Sequence, residues 1–303
     1  MRITHFFSWI SSACCFLLIF FLAAWSMPAN GEENTPPSVS SVYISSISNT
    51  EISNENPIVP SPGTTKIIYI YGNVSDAEGD ATIQSVTASF FRTSKTSALC
   101  DAVNEADPNY CYFSTCTITT GDVDTSAHFD CEIPLNYYAD ATLGSGEFAT
   151  DDWSVFIQVT DAQSGVGDNS GFMPTTEIGS LVAASVQPSL SWGNLDLGMI
   201  STAENNAAMT VTQTGNSIVD LSVSGTDMLC SSGSIPVSRV SYVLTDVDGG
   251  IALSETPTII QDFNLPLRTL EPVIQNLFWN ISVPENGVGG VCAGSILVTT
   301  EAG

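Results

Sequence analysis

Apolar and polar side chains alternate along many short stretches of this chain. In residues 153–159, one parity (Trp153, Val155, Ile157 and Val159) is wholly apolar, and Val219, Leu221 and Val223 repeat the pattern. A period of two is typical of a β-strand that packs one face on a core. The clearest predicted strands are 66–71, 82–91, 153–160, 219–224, 238–244, 279–283 and 295–299.

Clusters of Gly, Pro, Asn, Asp and Ser separate these stretches at intervals close to the ~8–12 residues that are typical of β-sandwiches. After the N-terminal segment, no stretch shows a sustained helical period. The sequence therefore predicts an all-β protein with antiparallel β-sandwich domains.

The positions of these turn-forming clusters also predict how the chain is divided into domains. A linker is expected at 30–40, a first sandwich at 41–184 and a second β-sandwich domain at 185–303, because 165–188 loses the alternation and gathers Gly, Met-Pro and Gln-Pro signals. Within the first sandwich, the acidic, cysteine-containing region 98–151 is predicted to be a disulfide-stapled insertion.

The N-terminal segment predicts export. Arg2 precedes an almost uninterrupted apolar run at 6–25, and small residues follow up to Ala29. This order indicates a signal peptide at 1–29. Because the run is close to the ~20 residues that cross a bilayer, an uncleaved signal anchor stays open. Either way, a secreted or extracellular, cell-surface associated protein is expected, with no membrane insertion once the signal is removed.

Charge narrows the class of partner. The 303 residues carry a formal net charge of −26, and removal of 1–29 takes away Arg2 and no acid, giving −26 − 1 = −27. A chain this acidic is a poor ligand for nucleic acid or for an anionic membrane surface. The acids are scattered, so a disordered acidic tail is not indicated.

Of the eight cysteines, two lie in the signal segment, and the remaining ones split evenly between the halves: Cys100, Cys111, Cys116 and Cys131, then Cys230 and Cys292. For an exported chain this predicts disulfides within each half. Three pairings are possible in the first half, and Cys100–Cys111 with Cys116–Cys131 is favoured. Zinc is the competing interpretation of the four-cysteine group. Cys230–Cys292 is predicted to bridge across the second sandwich, with Cys292 facing inward.

Three segments carry a family resemblance: Asn34-Thr-Pro-Pro-Ser-Val-Ser-Ser-Val, Tyr71-Gly-Asn-Val-Ser-Asp76-Ala-Glu-Gly-Asp80 and Trp153-Ser-Val-Phe-Ile-Gln-Val-Thr-Asp161. Over about 36–170, the chain resembles the Ig-like modules of prokaryotic surface proteins, which are similar to PKD and cadherin-like domains. From Pro188 onward it more loosely resembles small β-sandwich modules of surface proteins. The resemblance implies Ig-like architecture and surface location, and it implies no activity.

The strongest candidate site is the turn Asp76-Ala-Glu78-Gly-Asp80. Three carboxylates at alternate positions can converge on a calcium ion, which takes six to eight oxygen ligands, and Asp161 or the Asp151-Asp152 pair could add more. The alternative is an ordinary turn in which Asp side chains accept backbone N–H groups. Asp246-Val-Asp248-Gly-Gly is a weaker case that a hairpin turn explains better.

Catalytic constellations find little support. His128 is the one histidine after the signal segment, and it is predicted in a solvated hairpin loop. A Ser-His-Asp triad needs a histidine held by packing beside a serine and an acid. Some acid pair at glycosidase spacing always exists among 32 acids, so a secreted hydrolase stays as a weak alternative.

Two further features could bear a ligand or a modification. The sequons at Asn73 and Asn280 are predicted N-glycosylation sites on exposed strand edges. Aromatic residues gather in the stapled region and could stack on sugar rings, although packing onto the sandwich is the favoured interpretation; they are Tyr110, Tyr112, Phe113, Tyr137 and Tyr138.

Together these features favour a non-enzymatic structural or adhesive component of a cell surface or extracellular assembly. The expected partners are other surface proteins or further copies of the chain, which could form a homopolymeric filament through edge strands. A calcium- or glycan-binding extracellular module is the main alternative.

Overall fold

The computed structural model describes residues 33–48, 54–97, 100, 107–120, 125–269 and 271–303. The predicted signal segment and the start of the predicted linker lie outside these ranges. Residues 36–303 form one compact unit. Within the described ranges, no helix has the length and apolarity that a bilayer crossing requires.

The first half of this unit is a sandwich of two antiparallel sheets. One sheet has the order β1-β2-β6-β5, and the other has the order β4-β3-β7-β8, with β9 also paired to β7. The strands are β1 (Ser38–Ser45), β2 (Thr65–Ser75), β3 (Ile83–Arg92), β4 (Cys111–Thr115), β5 (Thr117–Thr120), β6 (Ser126–Asn136), β7 (Trp153–Asp161), β8 (Val166–Asp168) and β9 (Thr175–Thr176).

Alternation decides which side chains enter this core. Ile68 and Ile70 from one sheet and Val155 and Ile157 from the other are fully buried in one cluster. Trp153 is buried with them, and its Nε1 donates to Asp140 O at 2.9 Å. The period-two prediction for 153–159 is thus confirmed.

Two predicted boundaries in the first half are wrong. The region 98–151 is not an insertion, because β6 pairs with β2 along its whole length and β4 pairs with β3. Within this region, Asp130 and Glu132 are outward-facing side chains of β6, a strand that belongs to the sandwich. The predicted linker 30–40 also extends too far, since β1 begins at Ser38.

In the part of the second half that the structure describes, there is a separate core and three antiparallel sheets, β10-β11-β18-β15-β16, β17-β12-β20 and β14-β13-β19. Val219, Leu221 and Val223 are buried there, as their alternation predicts. The strands are β10 (Ala184–Val186), β11 (Ala207–Gln213), β12 (Val219–Gly225), β13 (Met228–Ser232), β14 (Ser234–Ile235), β15 (Val240–Val243), β16 (Ile251–Ala252), β17 (Thr258–Ile259), β18 (Ile274–Ile281), β19 (Gly289–Ala293) and β20 (Ile296–Ala302).

All the strands that the alternation predicted are present, and the described residues contain only short 3-10 turns besides strands and loops. The fold is therefore all-β, antiparallel and built as a sandwich.

Among the described residues, three disulfides cross-link the chain: Cys100–Cys111, Cys116–Cys131 and Cys230–Cys292. Cys116 lies where the chain passes from β4 in one sheet to β5 in the other. The bridge from Cys116 to Cys131 on β6 therefore ties a sheet-to-sheet crossing to a central strand.

The second-half bridge differs from its prediction. Cys230 on β13 and Cys292 on β19 are direct partners in one antiparallel ladder. Their bridge therefore joins neighbouring strands within one sheet instead of crossing the sandwich. Both side chains are half-buried, because this small sheet lies at the margin of the second core.

Candidate functional site

The predicted calcium turn follows β2 and leads into β3. The Asp76 and Asp80 side chains are buried, at 2% and 9% exposure. Asp76 Oδ1 accepts the Glu78 backbone N–H at 2.9 Å, which is the local bond that shapes an Asp turn. Asp161 ends β7 opposite Ile83, and its Oδ1 accepts two backbone N–H groups of the following turn.

The predicted calcium ligands do not assemble into one group. Among the described residues, no three His, Cys, Asp or Glu side chains lie close enough together to hold a metal ion. The alternative ligand Asp151 lies at the other end of β7, where it pairs with Arg92. Asp76 Oδ2 is buried and has no hydrogen-bond partner in the part of the chain that the structure describes.

The two sequons do not lie on exposed strand edges, which corrects their prediction. Asn73 is on β2, between β1 and β6, and its Nδ2 donates to Ser41 Oγ at 3.1 Å. Asn280 is on β18, between β11 and β15; it is 3% exposed, and its Nδ2 donates to Gly249 O. An N-glycan at either nitrogen would replace the bond that the folded chain makes.

The aromatic residues of the cysteine-rich region contribute to packing. Tyr112 is buried against Trp153, with ring centroids 5.9 Å apart, and burial raises the pKa of its phenol. Its hydroxyl donates to Pro108 O and accepts Asn136 N–H. Tyr137 and Tyr138 pack edge to face at 5.0 Å.

Beside these rings lies a buried ion cluster around Arg92. Its Nε lies 3.1 Å from Asp140 Oδ2, its Nη1 bonds Asp151 Oδ2, and its guanidinium covers the Phe148 ring at 3.8 Å. Burial raises the pKa of Asp140 to about 6, and the Arg92 charge partly opposes that rise. Such a cluster holds in place the loops that lead into β7. Both of its carboxylates form ion pairs with Arg92.

The feature of the first half that most resembles a binding site lies on the outer face of the β1-β2-β6-β5 sheet. It is a cleft of about 540 Å³, lined by Tyr43, Tyr71, Gly72, Asn73, Thr119, His128, Phe129 and Asp130.

Strand register assembles this cleft from three separate parts of the sequence. Tyr43 on β1 pairs with Tyr71 on β2, which in turn pairs with Asp130 on β6. One row further along, Asn73 pairs with His128, and His128 pairs with Thr119 on β5. Outward-facing side chains of two adjacent rows therefore meet across four strands.

The cleft combines an aromatic wall with polar acceptors. The Tyr43 and Tyr71 rings stack, with centroids 5.4 Å apart and planes 24° apart. Asn73 Oδ1 and Asp130 Oδ1 are buried atoms without a hydrogen-bond partner among the described residues. Burial, and then the charge of Glu132, raises the pKa of Asp130.

Sequence reasoning missed this cleft and misplaced His128. The histidine lies on β6 and faces the cleft, not in a hairpin loop. The available signal was an aromatic residue at the outward parity of two strands, Tyr43 and Tyr71. The two tyrosines alone do not indicate a binding site. The cleft becomes visible only when the strand register places Asp130 on β6 next to Tyr71.

A second and larger cleft, of about 1330 Å³, lies in the second half between 186–197 and the β19–β20 region. Its lining is mainly apolar, and it includes Trp192, Met209 and Leu253.

Comparisons with known proteins do not assign the chain to a family. No protein-family model matches it, and no curated protein matches it significantly. One solved structure with some similarity is described as "Chaperone-tip adhesin complex is vital for synergistic activation of CFA/I fimbriae biogenesis". The identity is 12%, the match covers 86% of this chain and 84% of that chain, and the TM-score is 0.27. Similarity at this level supports no inference about function.

Proposed function

We propose that this protein is a non-enzymatic structural or adhesive component of a cell surface or extracellular assembly. The observation that carries the proposal is the junction between its two halves, which is built from side chain to backbone hydrogen bonds. A subunit of an assembly must hold its contact surfaces at a fixed relative orientation, and this junction supplies that property.

Asn216 is the centre of the junction. Its Nδ2 donates to Ala139 O at 2.9 Å and to Gly179 O at 3.1 Å, and its Oδ1 accepts Leu181 N–H at 2.6 Å. The side chain is 5% exposed, so these bonds are shielded from water. Next to it, Gly215 lies so close to Leu181 O that a Cβ would overlap that oxygen.

Arg268 makes a second connection between the halves. Its Nη1 donates to Tyr137 Oη at 2.7 Å, and its guanidinium lies 4.1 Å from the Tyr138 ring centroid. Asn109 Nδ2 also donates to Thr269 O at 3.0 Å. Bonds at several separate residues of the junction resist bending better than a single linker would, since neither half can rotate without breaking some of them.

The extracellular part of the proposal is supported by the disulfides, because such bridges persist in oxidising compartments. The resemblance of the first half to Ig-like surface modules agrees with it. Partners of the structural component are proposed to be other surface proteins or further copies of this chain.

Strand β20 is the proposed contact edge. In the described residues it pairs with β12 on one side only, and Leu297 on this strand is 60% exposed. An edge strand with unpaired backbone groups and apolar side chains is a ready site for strand addition.

Sedimentation velocity and negative-stain imaging of the chain without residues 1–29 test the proposal. Species that grow with concentration are expected, and Leu297→Lys on β20 should reduce them because it places a charge at the contact edge. Thr256→Lys adds the same charge to an exposed loop and should leave assembly unchanged. A monomer at every concentration that also captures no surface protein would overturn the proposal.

Calcium binding is the second candidate function, and Asp76 Oδ2 favours it as a buried carboxylate oxygen without a partner. Against it, no three-acid group exists among the described residues. If calcium binds, the thermal unfolding midpoint should rise in calcium relative to chelator, with a gain of about 2.7 kcal/mol at a hundredfold excess over Kd. Asp76→Asn should abolish that rise, and identical curves would remove the candidate.

A further inference from the structure

The cleft on the outer face of the β1-β2-β6-β5 sheet has features that the structural role does not use. Buried polar atoms in folded proteins are nearly always hydrogen-bonded, and each exception needs an explanation. Here two buried acceptors, Asn73 Oδ1 and Asp130 Oδ1, lie in one cleft without a partner among the described residues. Each of these oxygens is covered in this conformation, so a ligand would reach it through a rotation of the Asn73 or Asp130 side chain toward the cleft, and each could then accept a hydrogen bond.

The type of unsatisfied atom restricts the ligand. Both atoms are acceptors, so the missing partner must donate, and neighbouring hydroxyl groups are suitable donors. Beside these acceptors stands the stacked pair Tyr43 and Tyr71. Tyrosine offers a large apolar face together with a polar hydroxyl, which suits a ligand that is apolar on one face and hydroxylated at its edge.

The position of the cleft excludes an added strand as the ligand. Its floor is formed by β2 and β6, which are paired to neighbouring strands on both sides. Backbone groups in the middle of a sheet are already bonded, so a peptide strand would have no ladder to join. Recognition at this place must go through side chains.

Charge further restricts the class of ligand. Asp130 and its neighbour Glu132 are acidic, and the whole chain is strongly negative. Tyr69 and Tyr71, on the neighbouring strand β2, carry no positive charge that would offset these acids. An anionic ligand would meet repulsion at this face, whereas calcium would require more oxygen ligands than the cleft brings together.

We propose that this cleft binds a neutral saccharide, whose ring packs against Tyr43 while its hydroxyls donate to Asp130 and Asn73. His128 and Thr119, at the far side of the cleft, offer further hydrogen-bonding groups to the same ring or to the next one. This inference does not rest on the structural function, since a chain that never assembles could still bind sugar here.

The test uses the chain without residues 1–29, made in an oxidising compartment of a host that does not attach N-glycans, so that Asn73 stays unmodified. Saturation-transfer NMR is recorded with the neutral hexasaccharides of cellulose, xylan, mannan, starch and chitin, and with oligogalacturonate as the acidic probe. Calorimetry then measures Kd for each neutral oligosaccharide that binds.

Binding of at least one neutral oligosaccharide is expected, with a Kd weakened about tenfold or more, or about 1.4 kcal/mol, by Tyr43→Ala and by Asp130→Ala. Tyr69→Ala is the matched control, because Tyr69 faces outward from β2 but does not line the cleft. It should change Kd less than about twofold, or about 0.4 kcal/mol.

Three results would overturn the proposal. They are no binding of any neutral probe at the solubility limit, binding of oligogalacturonate alone, and binding that Tyr43→Ala and Asp130→Ala leave intact. Circular dichroism and melting curves of each variant confirm that it is folded. If Asp130→Ala fails to fold, Thr119→Val, a surface change within the cleft, is used in its place to measure how much Kd for the saccharide weakens when a polar group of the cleft is removed.

Discussion

The two halves of this protein share a strand pattern but close their cores to different degrees. In the first half, nearly every core side chain is fully buried, the Cys116–Cys131 bridge is buried in the same cluster, and the Cys100–Cys111 bridge is buried beside Phe91. In the second half, many side chains that pack on the core are only half-buried, a large apolar cleft is present and the bridge lies at the margin.

One segment that contributes to the difference is 187–197, which covers the second core without joining a sheet. Trp192 packs on the core, and its Nε1 donates to Trp279 O at 2.9 Å. Pro188 lacks a backbone donor, and Gly193 has a φ of 69°, so a regular strand does not form here. The comparison shows that alternation alone makes a sheet face apolar, whereas closure requires a segment that can also pair its backbone.

The largest stability effect that would test this comparison is expected at Arg92 in the first half, whose core is more completely closed. Arg92→Met leaves the partly buried Asp140 and Asp151 without their cation, which should cost about 3 kcal/mol of unfolding free energy. Arg239→Met, at an exposed arginine of the second half, should change stability by about 0.5 kcal/mol or less. Urea denaturation measures both, and equal losses would contradict the contrast.

The junction should show the next largest effect. Asn216→Ala leaves Ala139 O, Gly179 O and Leu181 N without their partner, for a loss of about 2–3 kcal/mol. The two halves should also begin to unfold in separate calorimetric transitions. Asn276→Ala removes an exposed asparagine on β18 and serves as the control. A single unshifted transition in Asn216→Ala would show that the junction does not couple the halves.

Partial reduction should distinguish the disulfide of the second half from those of the first half by its rate. We expect Cys230–Cys292 to be reduced about tenfold faster than Cys116–Cys131, equivalent to about 1.4 kcal/mol in barrier, because its sulfurs are half-exposed and the other bridge is buried. Alkylation during a time course with a phosphine, followed by peptide mapping, gives the order. Earlier reduction of Cys116–Cys131 would mean that the first half opens more readily than its packing indicates.

The remaining prediction is a pH dependence that belongs to the first half. The folded pKa of Asp140 is about 6, against 3.8 for the free side chain, so the folded state holds the proton more tightly between these values. Its contribution is therefore greatest below about pH 4 and is lost as pH rises through 6. Measured against Asp140→Asn, the native chain should lose relative stability between pH 4 and 6 and then level off. A relative gain would show that attraction to Arg92 outweighs burial.

Prediction from sequence succeeded where the signal is local. Strand positions such as 153–160 and 219–224 follow from alternation, and all of them are present. It failed for 98–151, because acidity on the outward parity of β6 looks the same in sequence as acidity in an inserted loop. It also failed for Asn73 and Asn280, since a sequon does not show whether its strand lies at an edge or inside a sheet.

The sequence by itself determined the all-β class, the inward parity of each strand, the even division of cysteines and the strongly acidic surface. These properties depend on the order of residues over short distances or on composition alone. Only the tertiary structure decided that Tyr43, Tyr71 and Asp130 share one cleft, that Arg92 is buried between two acids, and that Asn216 connects the halves. Each of these depends on which distant strands pair and in which register, and a period of two carries no information about either choice.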